Sequence, residues 1–384
     1  MKRVLVILPN LDLGGAETVI MNFFRCFDEI VFDFAVHGEK GFYEDEALSL
    51  GARIFRVPTR SESFFGNIFA MQEIYKAKTI YSDDAYFSTR FIAGGGQNIH
   101  VEKYDTVIVC SEHAFAFIEL AVAWSCGVKT RAAWSHFSDY QGTSRLKRQA
   151  NFFAQPFLRL FGNLFLACTK DAGRWLFGKS FKKSHIINNA MDLEKFKFNL
   201  EAREKIREKH EISNKYIIGI TGRLSWVKNH AFALKVFRRL RMEDAVLLIV
   251  GGGELREEIE AKAALLNISH KVIFAGKVES TADYYQAIDL LLIPSFHEGL
   301  PLVTIEAQAA SLPVIMSDAI PPEAKISEYA CFMSLKDGAE AWAEKILEIK
   351  ESASKNKRAV IDLKNSGYHI TSEAKKLQEF LTTS

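Results

Sequence analysis

The stretch that most constrains the fold is Leu290–Met316. Four consecutive aliphatic residues, Leu290–Ile293, predict a buried strand, and the run Val314–Met316 predicts a second one. Between them, a Gly-Leu-Pro turn leads into an alanine-rich helical segment. Pro301 stands at the first helical turn, a position that tolerates its missing N–H. A strand, a helix and a second strand in this order are typical of parallel α/β sheets.

Two carboxylates flank the start of this predicted helix. A helix start offers N–H groups and a positive dipole end to an anion, whereas a carboxylate accepts best from hydroxyl groups. A nucleotide sugar has both features, because its diphosphate lies between two polyols. We therefore expect sugar hydroxyls at Glu298, the diphosphate at the backbone of Gly299, Leu300 and Pro301, and the ribose at Glu306. The alternative is an ordinary turn beside two solvated glutamates.

The spacing Glu-x7-Glu, inside Glu-Gly-Leu-Pro…Glu-Ala, resembles the donor-site signature of the retaining glycosyltransferases of family four. This resemblance implies the α/β GT-B architecture, in which two Rossmann-like domains face each other across a cleft. It also implies retaining transfer of a hexosyl unit from a nucleoside-diphosphate sugar, and we favour a uridine-diphosphate sugar. Ser311 stands where this family usually has a glycine that caps the helix, and serine costs little there if its φ is negative.

Composition describes an ordinary soluble globular protein. The chain has 384 residues, which suits two domains, with 48% apolar and 25% charged residues. Its five cysteines form no Cys-x2-Cys pair, so a reducing cytosol is the simplest setting. The apolar run that ends at Pro9 predicts a first strand rather than a signal peptide, and no apolar stretch reaches membrane-spanning length.

The first half alternates buried runs and helical segments, which predicts a parallel sheet with helices on both faces. Its first strand leads to Gly14 and Gly15, a loop that can approach a ligand closely and that the resemblance places at the cleft. His136 ends another strand, where such sheets bind ligands, although a lone histidine is more often structural. The resemblance places this histidine near the transferred sugar. Residues 81–100 fit no clean period and predict an irregular insertion or a mobile loop.

The second half opens with a strand and the turn Gly222-Arg223…Lys228. Two cations at a strand-to-helix junction can converge on one diphosphate. Each contributes on the order of 4 kcal/mol at about 4 Å and an effective dielectric of 20, against roughly 0.3–2 kcal/mol from the helix dipole. We expect Arg223 and Lys228 to dominate diphosphate binding unless they are mere surface charges. The resemblance adds Gly276 and Lys277 as the lining of the base pocket.

These residues give a provisional mechanism. Arg223 and Lys228 would stabilise the leaving diphosphate, Glu298 would hold the sugar hydroxyls, and His136 would face the anomeric carbon from the opposite wall. The sequence contains no Asp-x-Asp motif and no His cluster with ligand spacing, so we expect no required metal and no cofactor. We expect an acceptor-binding Rossmann-like domain over residues 1–189, a Rossmann-like domain that binds the nucleotide sugar over 190–366, and a final helix over 367–384 that packs back on the first domain.

Residues 141–183 are strongly basic and also rich in aromatic residues. Basic side chains beside exposed aromatics indicate an anionic membrane surface, so we expect a cytoplasmic protein attached peripherally to the plasma membrane and a lipid-linked saccharide acceptor. No recognised nucleic-acid module accompanies the patch, and the aromatics could instead be core. The nine basic residues are Arg145, Lys147, Arg148, Arg159, Lys170, Arg174, Lys179, Lys182 and Lys183, and the apolar ones are Phe152, Phe153, Phe157, Leu158, Phe161 and Phe165.

Other classes of protein remain open at this point. A sugar-nucleotide epimerase or a phosphorylase would share the architecture, but no motif signals the lysine-bound pyridoxal phosphate of a phosphorylase. A non-catalytic module that binds nucleotides or saccharides is the alternative of a different class. The combination of Arg223, Lys228, Glu298 and His136 favours an enzyme over such a module. A lipid-surface scaffold would explain the basic patch but not the donor loop.

Overall fold

The computed structural model describes residues 1–76, 80–83, 86–88, 97–99, 103–136, 144–278, 280–353, 363 and 366–382. The chain divides into two compact units. The first comprises Met1–Met191 and His369–Ser384, and the second comprises Asp192–Tyr368. The sequence placed the corresponding boundaries after residues 189 and 366.

The first unit is built on one sheet in the order β10-β9-β8-β7-β1-β2-β3-β5-β4-β6. Its neighbouring strands are parallel except β4, which runs antiparallel to β5 and β6. The strands are β1 (Lys2–Ile7), β2 (Ile30–Val36), β3 (Ile54–Arg56), β4 (Ile80–Asp83), β5 (Tyr86–Ser88), β6 (Gln97–Ile99), β7 (Thr106–Cys110), β8 (Thr130–Ser135), β9 (Leu164–Ala167) and β10 (His185–Ile186). The helices are α1 (Gly15–Phe24), α2 (Glu44–Ser49), α3 (Phe64–Tyr75), α4 (Phe117–Ser125), α5 (Arg145–Phe161) and α6 (Lys170–Phe177).

The second unit has an all-parallel sheet in the order β13-β12-β11-β14-β15-β16. Its strands are β11 (Tyr216–Thr221), β12 (Ala245–Val250), β13 (Val272–Gly276), β14 (Leu290–Ile293), β15 (Val314–Ser317) and β16 (Ala330–Met333). Its helices are α7 (Leu200–Lys209), α8 (His230–Arg239), α9 (Arg256–Leu265), α10 (Thr281–Ala287), α11 (Leu302–Ala309) and α12 (Gly338–Ala353).

The central strands form because they are largely apolar on both faces, with Asp33 in β2 and Ser317 at the end of β15 as buried polar residues. Every residue of β2, β12, β14 and β15 is buried, as expected for parallel strands covered by helices. Side chains cap several helix starts: Ser63, Ser144, Thr169 and Asn199 each accept a hydrogen bond from a backbone N–H three residues ahead. The α/β class predicted from the sequence is confirmed. The segment over 81–100 contributes residues to short strands β4, β5 and β6, and its other residues lie outside the described part.

The last helix, α13 (Ile370–Thr382), belongs to the first unit. Met191 and His369 form a parallel bridge, and the Glu373 carboxylate accepts a hydrogen bond of 2.8 Å from the backbone N–H of Asn188. The Lys2 ammonium also donates to the carbonyl of Leu381 at 2.5 Å. None of the helices in the described ranges combines the length and the apolarity needed to cross a bilayer.

The backbone at the end of α11 does not have the negative φ under which a serine at position 311 would cost little. Ser311 has a φ of +57°, in the left-handed region, so the serine does not avoid positive φ. Its N–H bonds to the carbonyl of Gln308, and the N–H of Leu312 bonds to that of Ala307. These two bonds form a Schellman motif, in which the residue at this position must be left-handed. The motif fixes the backbone, and the serine bears the strain that a glycine would avoid.

Candidate active site

The carboxyl ends of β11, β12 and β13 meet in three interlocked loops. The N–H of Gly222 donates to the carbonyl of Val250 at 2.9 Å, and the N–H of Gly251 donates to that of Gly276 at the same distance. Each loop is thereby held by the loop of the neighbouring strand. Because the carboxyl edge of a parallel sheet is where ligands bind, these loops form the floor of a candidate site.

Glycine is required where two of these loops touch. Gly222 and Gly251 have φ values of +131° and +141°, which are strained for any side chain. A Cβ on Gly251 would also lie 2.0 Å from the carbonyl oxygen of Gly222. At Gly222 itself, a Cβ would stand 3.3 Å from Cε of Lys228, so the lysine side chain crosses directly over this glycine.

Lys228 and Glu298 are brought into direct contact. The lysine Nζ lies 2.6 Å from Oε1 of Glu298, and the two side chains are only 19% and 13% exposed. The buried Ser295 donates its hydroxyl to the same carboxylate oxygen at 2.8 Å. The contact arises because β11 and β14 are adjacent strands, and the N–H of Phe296 ties their loops together through the carbonyl of Val227 at 2.8 Å.

This contact lies at the point where the strand order reverses. From β11 the chain proceeds through β12 and β13 on one side, and then returns to place β14, β15 and β16 on the other. Open parallel sheets bind their ligands in the crevice at such a switch point. In the first unit the corresponding reversal lies between β1 and β7.

Arg223 lies on the same loop but has a different partner. Its Nε is 3.2 Å from Oε2 of Glu254, and both side chains are exposed. A hydrogen bond from the backbone N–H of Glu254 itself, followed by the charge of Arg223, lowers the pKa of this carboxyl. Solvent screens an exposed pair of this kind, so it contributes little to stability and Arg223 can leave Glu254 at little cost.

Glu306, on α11, is held by a tyrosine that sequence reasoning did not assign to the site. The hydroxyl of Tyr285 donates to Oε2 of Glu306 at 2.7 Å and lies 2.9 Å from Oγ1 of Thr221. The pKa of Glu306 is raised, because the effect of burial exceeds the opposing effects of this hydrogen bond and of the charge of Lys228. A tyrosine in a helix that packs on a sheet needs a partner for its hydroxyl, which is the signal that could have found Tyr285.

The remaining predicted donor residues lie on neighbouring loops. Gly276 has a φ of +74°. The side chain of the exposed Lys277 passes close to Gly252: a Cβ added to this glycine would lie 2.9 Å from Cγ of Lys277. Gly299, Leu300 and Pro301 precede α11, whose start has no side-chain cap among the described residues. In the described part of the chain, no group of three or more His, Cys, Asp or Glu side chains is arranged to hold a metal ion.

The first unit carries His136, Gly14 and Gly15. The His136 ring packs on Trp134 at the end of β8, with ring centroids 4.7 Å apart. Burial lowers its pKa to about 4, and the Asn189 side chain opposes this shift. His136 is therefore neutral at physiological pH. Gly14 caps α1 and Gly15 begins it, both just after β1, which is one of the two strands at the reversal of this sheet.

The basic side chains of residues 141–183 are exposed, but only some of the apolar side chains in this segment are. All nine of the basic side chains named above are exposed. Phe152, Phe153 and Phe157 are exposed as well, whereas Leu158 and Phe165 are buried in the core of the first unit and Phe161 is half-buried. The expectation that Leu158 and Phe165 contribute to the surface is therefore wrong. Leu158 packs inward because it lies on the buried side of α5 with Asn151 and Ala154, and Phe165 is buried because it belongs to strand β9 of the sheet.

These features define a class. Two units with mainly parallel sheets, one with a paired lysine and glutamate at its switch point, describe an α/β enzyme of the GT-B type. Residues 202–365 match the family model described as glycosyl transferases group 1. The crystal structure of HepE from Anabaena in complex with UDP-glucose is similar over the full length of both chains, with a TM-score of 0.78 and 14% sequence identity.

Two relatives are similar in sequence. The putative glycosyltransferase EpsF of Bacillus subtilis is 32% identical over 358 residues, which cover 90% of this chain and 87% of EpsF. An N-acetylgalactosamine-N,N'-diacetylbacillosaminyl-diphospho-undecaprenol 4-alpha-N-acetylgalactosaminyltransferase of Campylobacter jejuni is 33% identical over 142 residues, or 37% of each chain. The chain belongs to the group 1 glycosyltransferases, and it is a glycosyltransferase.

Proposed function

We propose that this enzyme transfers a hexosyl unit, with retention of anomeric configuration, from a nucleoside-diphosphate sugar to a saccharide acceptor. The observation that carries this proposal is the half-buried contact between Lys228 and Glu298 at the switch point of the second sheet. A cation and a carboxylate side by side offer one group to a diphosphate and the other to sugar hydroxyls. The UDP-glucose complex of HepE, which shares the fold, supports a uridine-diphosphate sugar as the donor.

The reaction places the main demand on the leaving group. The bond between the anomeric carbon and the diphosphate oxygen breaks, and its electron pair leaves with the nucleoside diphosphate. A bond to the acceptor oxygen forms, and the proton of the acceptor hydroxyl passes to an oxygen of the departing diphosphate. Lys228 and Arg223 stabilise the charge that develops on the diphosphate, and the turn before α11 adds the backbone N–H groups of Gly299 and Leu300, since Pro301 has none. Glu298 accepts from the hexose hydroxyls, and Glu306 accepts from the ribose.

His136 contributes as a neutral ring in this proposal. Because its pKa is lowered to about 4, it offers the sugar an uncharged imidazole rather than a cation. Gly14 and Gly15 serve the acceptor side, and Gly222, Gly276 and Lys277 line the donor side. The residues named for catalysis include no metal ligand set, so we propose that transfer proceeds in the presence of a chelator such as EDTA.

The acceptor that we propose is a saccharide on a polyprenyl diphosphate, used in the synthesis of a cell-surface polysaccharide. Support comes from the Campylobacter relative, whose name specifies a diphospho-undecaprenol-linked saccharide. The deciding experiment incubates the purified protein with nucleotide sugars that differ in base and hexose, with and without such an acceptor. Release of nucleoside diphosphate is measured, and NMR assigns the anomeric configuration of the product.

The outcomes separate the alternatives. Acceptor-dependent release with retained configuration supports the proposal. Interconversion of nucleotide sugars without transfer indicates an epimerase, and binding without turnover indicates a non-catalytic module. Absence of both binding and turnover with every nucleotide sugar overturns the donor assignment.

We also propose that the protein docks on an anionic bilayer through residues 141–183, at the cytoplasmic face of the plasma membrane. On α5, the apolar residues Leu146, Phe153, Phe157 and Leu160 are exposed at intervals of seven, four and three residues, which places them on one stripe. Arg145, Arg148 and Arg159 are exposed on α5 one or two residues from members of this stripe, so they lie on the adjoining part of the helix surface and not within the stripe. Each basic residue near an anionic surface contributes on the order of 1 kcal/mol.

The stripe continues onto α4. The ring of Phe157 lies 5.3 Å from that of Phe117, and the exposed Trp124 lies 5.7 Å from Phe161. We expect sedimentation with phosphatidylglycerol vesicles, little sedimentation with phosphatidylcholine alone, and loss of binding when Arg145, Lys147 and Arg148 are changed to Gln. The matched control changes Lys235, Arg238 and Arg239, which are exposed on α8 of the second unit. Equal loss in both triple variants would indicate general electrostatics rather than a docking surface.

A further inference from the structure

Two aromatic side chains lie exposed on the same two loops that carry Lys228 and Glu298. Trp226 is 61% exposed and Phe296 is 40% exposed. Their rings stack, with centroids 4.6 Å apart and planes inclined by 29°. By contrast, the rings of Trp342 and Tyr285 are fully buried in the core of the same unit.

The backbone holds this pair rigidly. The N–H of Phe296 donates to the carbonyl of Val227, and the Asn229 side chain donates to the carbonyl of Pro294 at 3.0 Å. Two hydrogen bonds therefore tie the loops together directly beside the aromatic contact, after Trp226 on the first loop and at or before Phe296 on the second. Trp226 precedes Lys228 by two residues on the loop after β11, and Phe296 precedes Glu298 by two on the loop after β14. The aromatic pair therefore lies next to the proposed donor site on both loops.

An exposed, rigid aromatic surface beside a sugar-transferring site has a definite chemical preference. Stacking covers one face of the indole, so the large remaining exposure of Trp226 belongs to its other face and its edge. Pyranose rings present polarised C–H groups on one face, and these pack against the negative face of an aromatic ring. The indole N–H can also donate to a ring hydroxyl.

We infer that Trp226 and Phe296 form a stacking platform for the sugar ring of the acceptor. The inference rests on the proposed function, because it takes Glu298 as the group that holds the donor hexose. Lys228 and Glu298 are mostly enclosed, whereas the aromatic pair is open to solvent. The enclosed position suits the donor hexose, and the outer position suits the saccharide that must reach it.

The test compares Trp226→Ala, Trp226→Phe and Phe296→Ala with the wild-type protein, using octyl glycosides of glucose, galactose, N-acetylglucosamine and N-acetylgalactosamine as acceptor probes. For Trp226→Ala we expect kcat/KM for the glycoside to fall about tenfold at saturating donor. UDP affinity by calorimetry and donor hydrolysis without acceptor should stay within about twofold. Trp226→Phe retains a ring and should recover most of the loss. Thermal unfolding verifies that each variant is folded.

Fluorescence gives a second readout that does not need turnover. The chain has five tryptophans, so the difference between wild type and Trp226→Phe isolates one of them. We expect the glycosides to quench this difference signal. The inference is overturned if no glycoside changes it, or if Trp226→Ala weakens donor binding as much as acceptor use. Failure of the proposed function is distinct, because the wild-type protein would then neither bind UDP nor release it from a nucleotide sugar.

Discussion

Lys228 and Arg223 carry the same charge, but their glutamate partners place them in different environments. Removing Lys228 leaves the half-buried Glu298 without its cation and the diphosphate without a charge. For Lys228→Ala we expect kcat/KM to fall by about 10²–10³-fold, which is the range for a lost transition-state donor. Glu254→Ala breaks only an exposed pair, so donor KM should change by less than about twofold. Initial rates over a range of donor concentrations measure both.

Lys228→Ala and Glu254→Ala are a useful comparison because each breaks one ion pair between a basic residue and a glutamate. Wild-type rates in Lys228→Ala would contradict the proposal that Lys228 stabilises the leaving diphosphate. A large loss in Glu254→Ala would show that Arg223 acts from its present position rather than by leaving Glu254.

Ser311 has a side chain that disfavours the backbone conformation it adopts. Its φ of +57° is imposed by the Schellman motif at the end of α11. We expect Ser311→Gly to stabilise the protein by about 1 kcal/mol, because glycine reaches this region without strain. Ala261→Gly in the exposed middle of α9 is the matched control and should destabilise by about 1 kcal/mol. Chemical denaturation measures both, and two changes of the same sign would contradict this account.

At the scale of elements, the loops that follow β11 and β12 depend on a contact that only glycine allows. Gly251→Ala would place a Cβ 2.0 Å from the carbonyl oxygen of Gly222 at a φ of +141°. Gly338 also has a positive φ, but a Cβ there would meet nothing within 4 Å. We expect Gly338→Ala to cost about 1 kcal/mol and Gly251→Ala at least about 2 kcal/mol more, together with a loss of UDP affinity.

Denaturation and calorimetry on the same two variants check this expectation. Equal costs would mean that the loop of Gly222 can move away without penalty. The interlocked loops would then be an adaptable surface and not a preformed floor.

The strands could be predicted from the sequence because parallel strands covered on both faces are uninterrupted apolar runs. Leu290–Ile293 was predicted with the bounds that the structure shows. The partners of the charged groups could not be predicted in the same way. The contact of Lys228 with Glu298 depends on the pairing of β11 with β14, and no local pattern encodes which strands are neighbours. The roles of Tyr285 and Glu254 follow from the same long-range order.

At the scale of the whole molecule, each unit contains a buried histidine with a lowered pKa. Burial lowers the pKa of His136 in the first unit to about 4. Burial, and then the charge of Lys228, lower that of His230 in the second unit to about 4. Unfolding restores the ordinary value near 6.5, so the unfolded chain binds these protons at a higher pH than the folded one. Their contribution to stability is complete above about pH 6.5 and is lost as the pH falls towards about 4.

Carboxyls with raised pKa values, such as Asp33 and Glu119, act in the opposite sense, so the test is a difference between variants. For His230→Leu, the slope of unfolding free energy between pH 7 and about pH 5 should fall by up to about 1.4 kcal/mol per pH unit, because one fewer proton is taken up on unfolding. Urea denaturation across this range measures the slope. His270→Leu, at an exposed position, is the control. An unchanged slope in His230→Leu would mean that this imidazole titrates alike in the folded and unfolded chains, and that acid acts on the second unit through other groups.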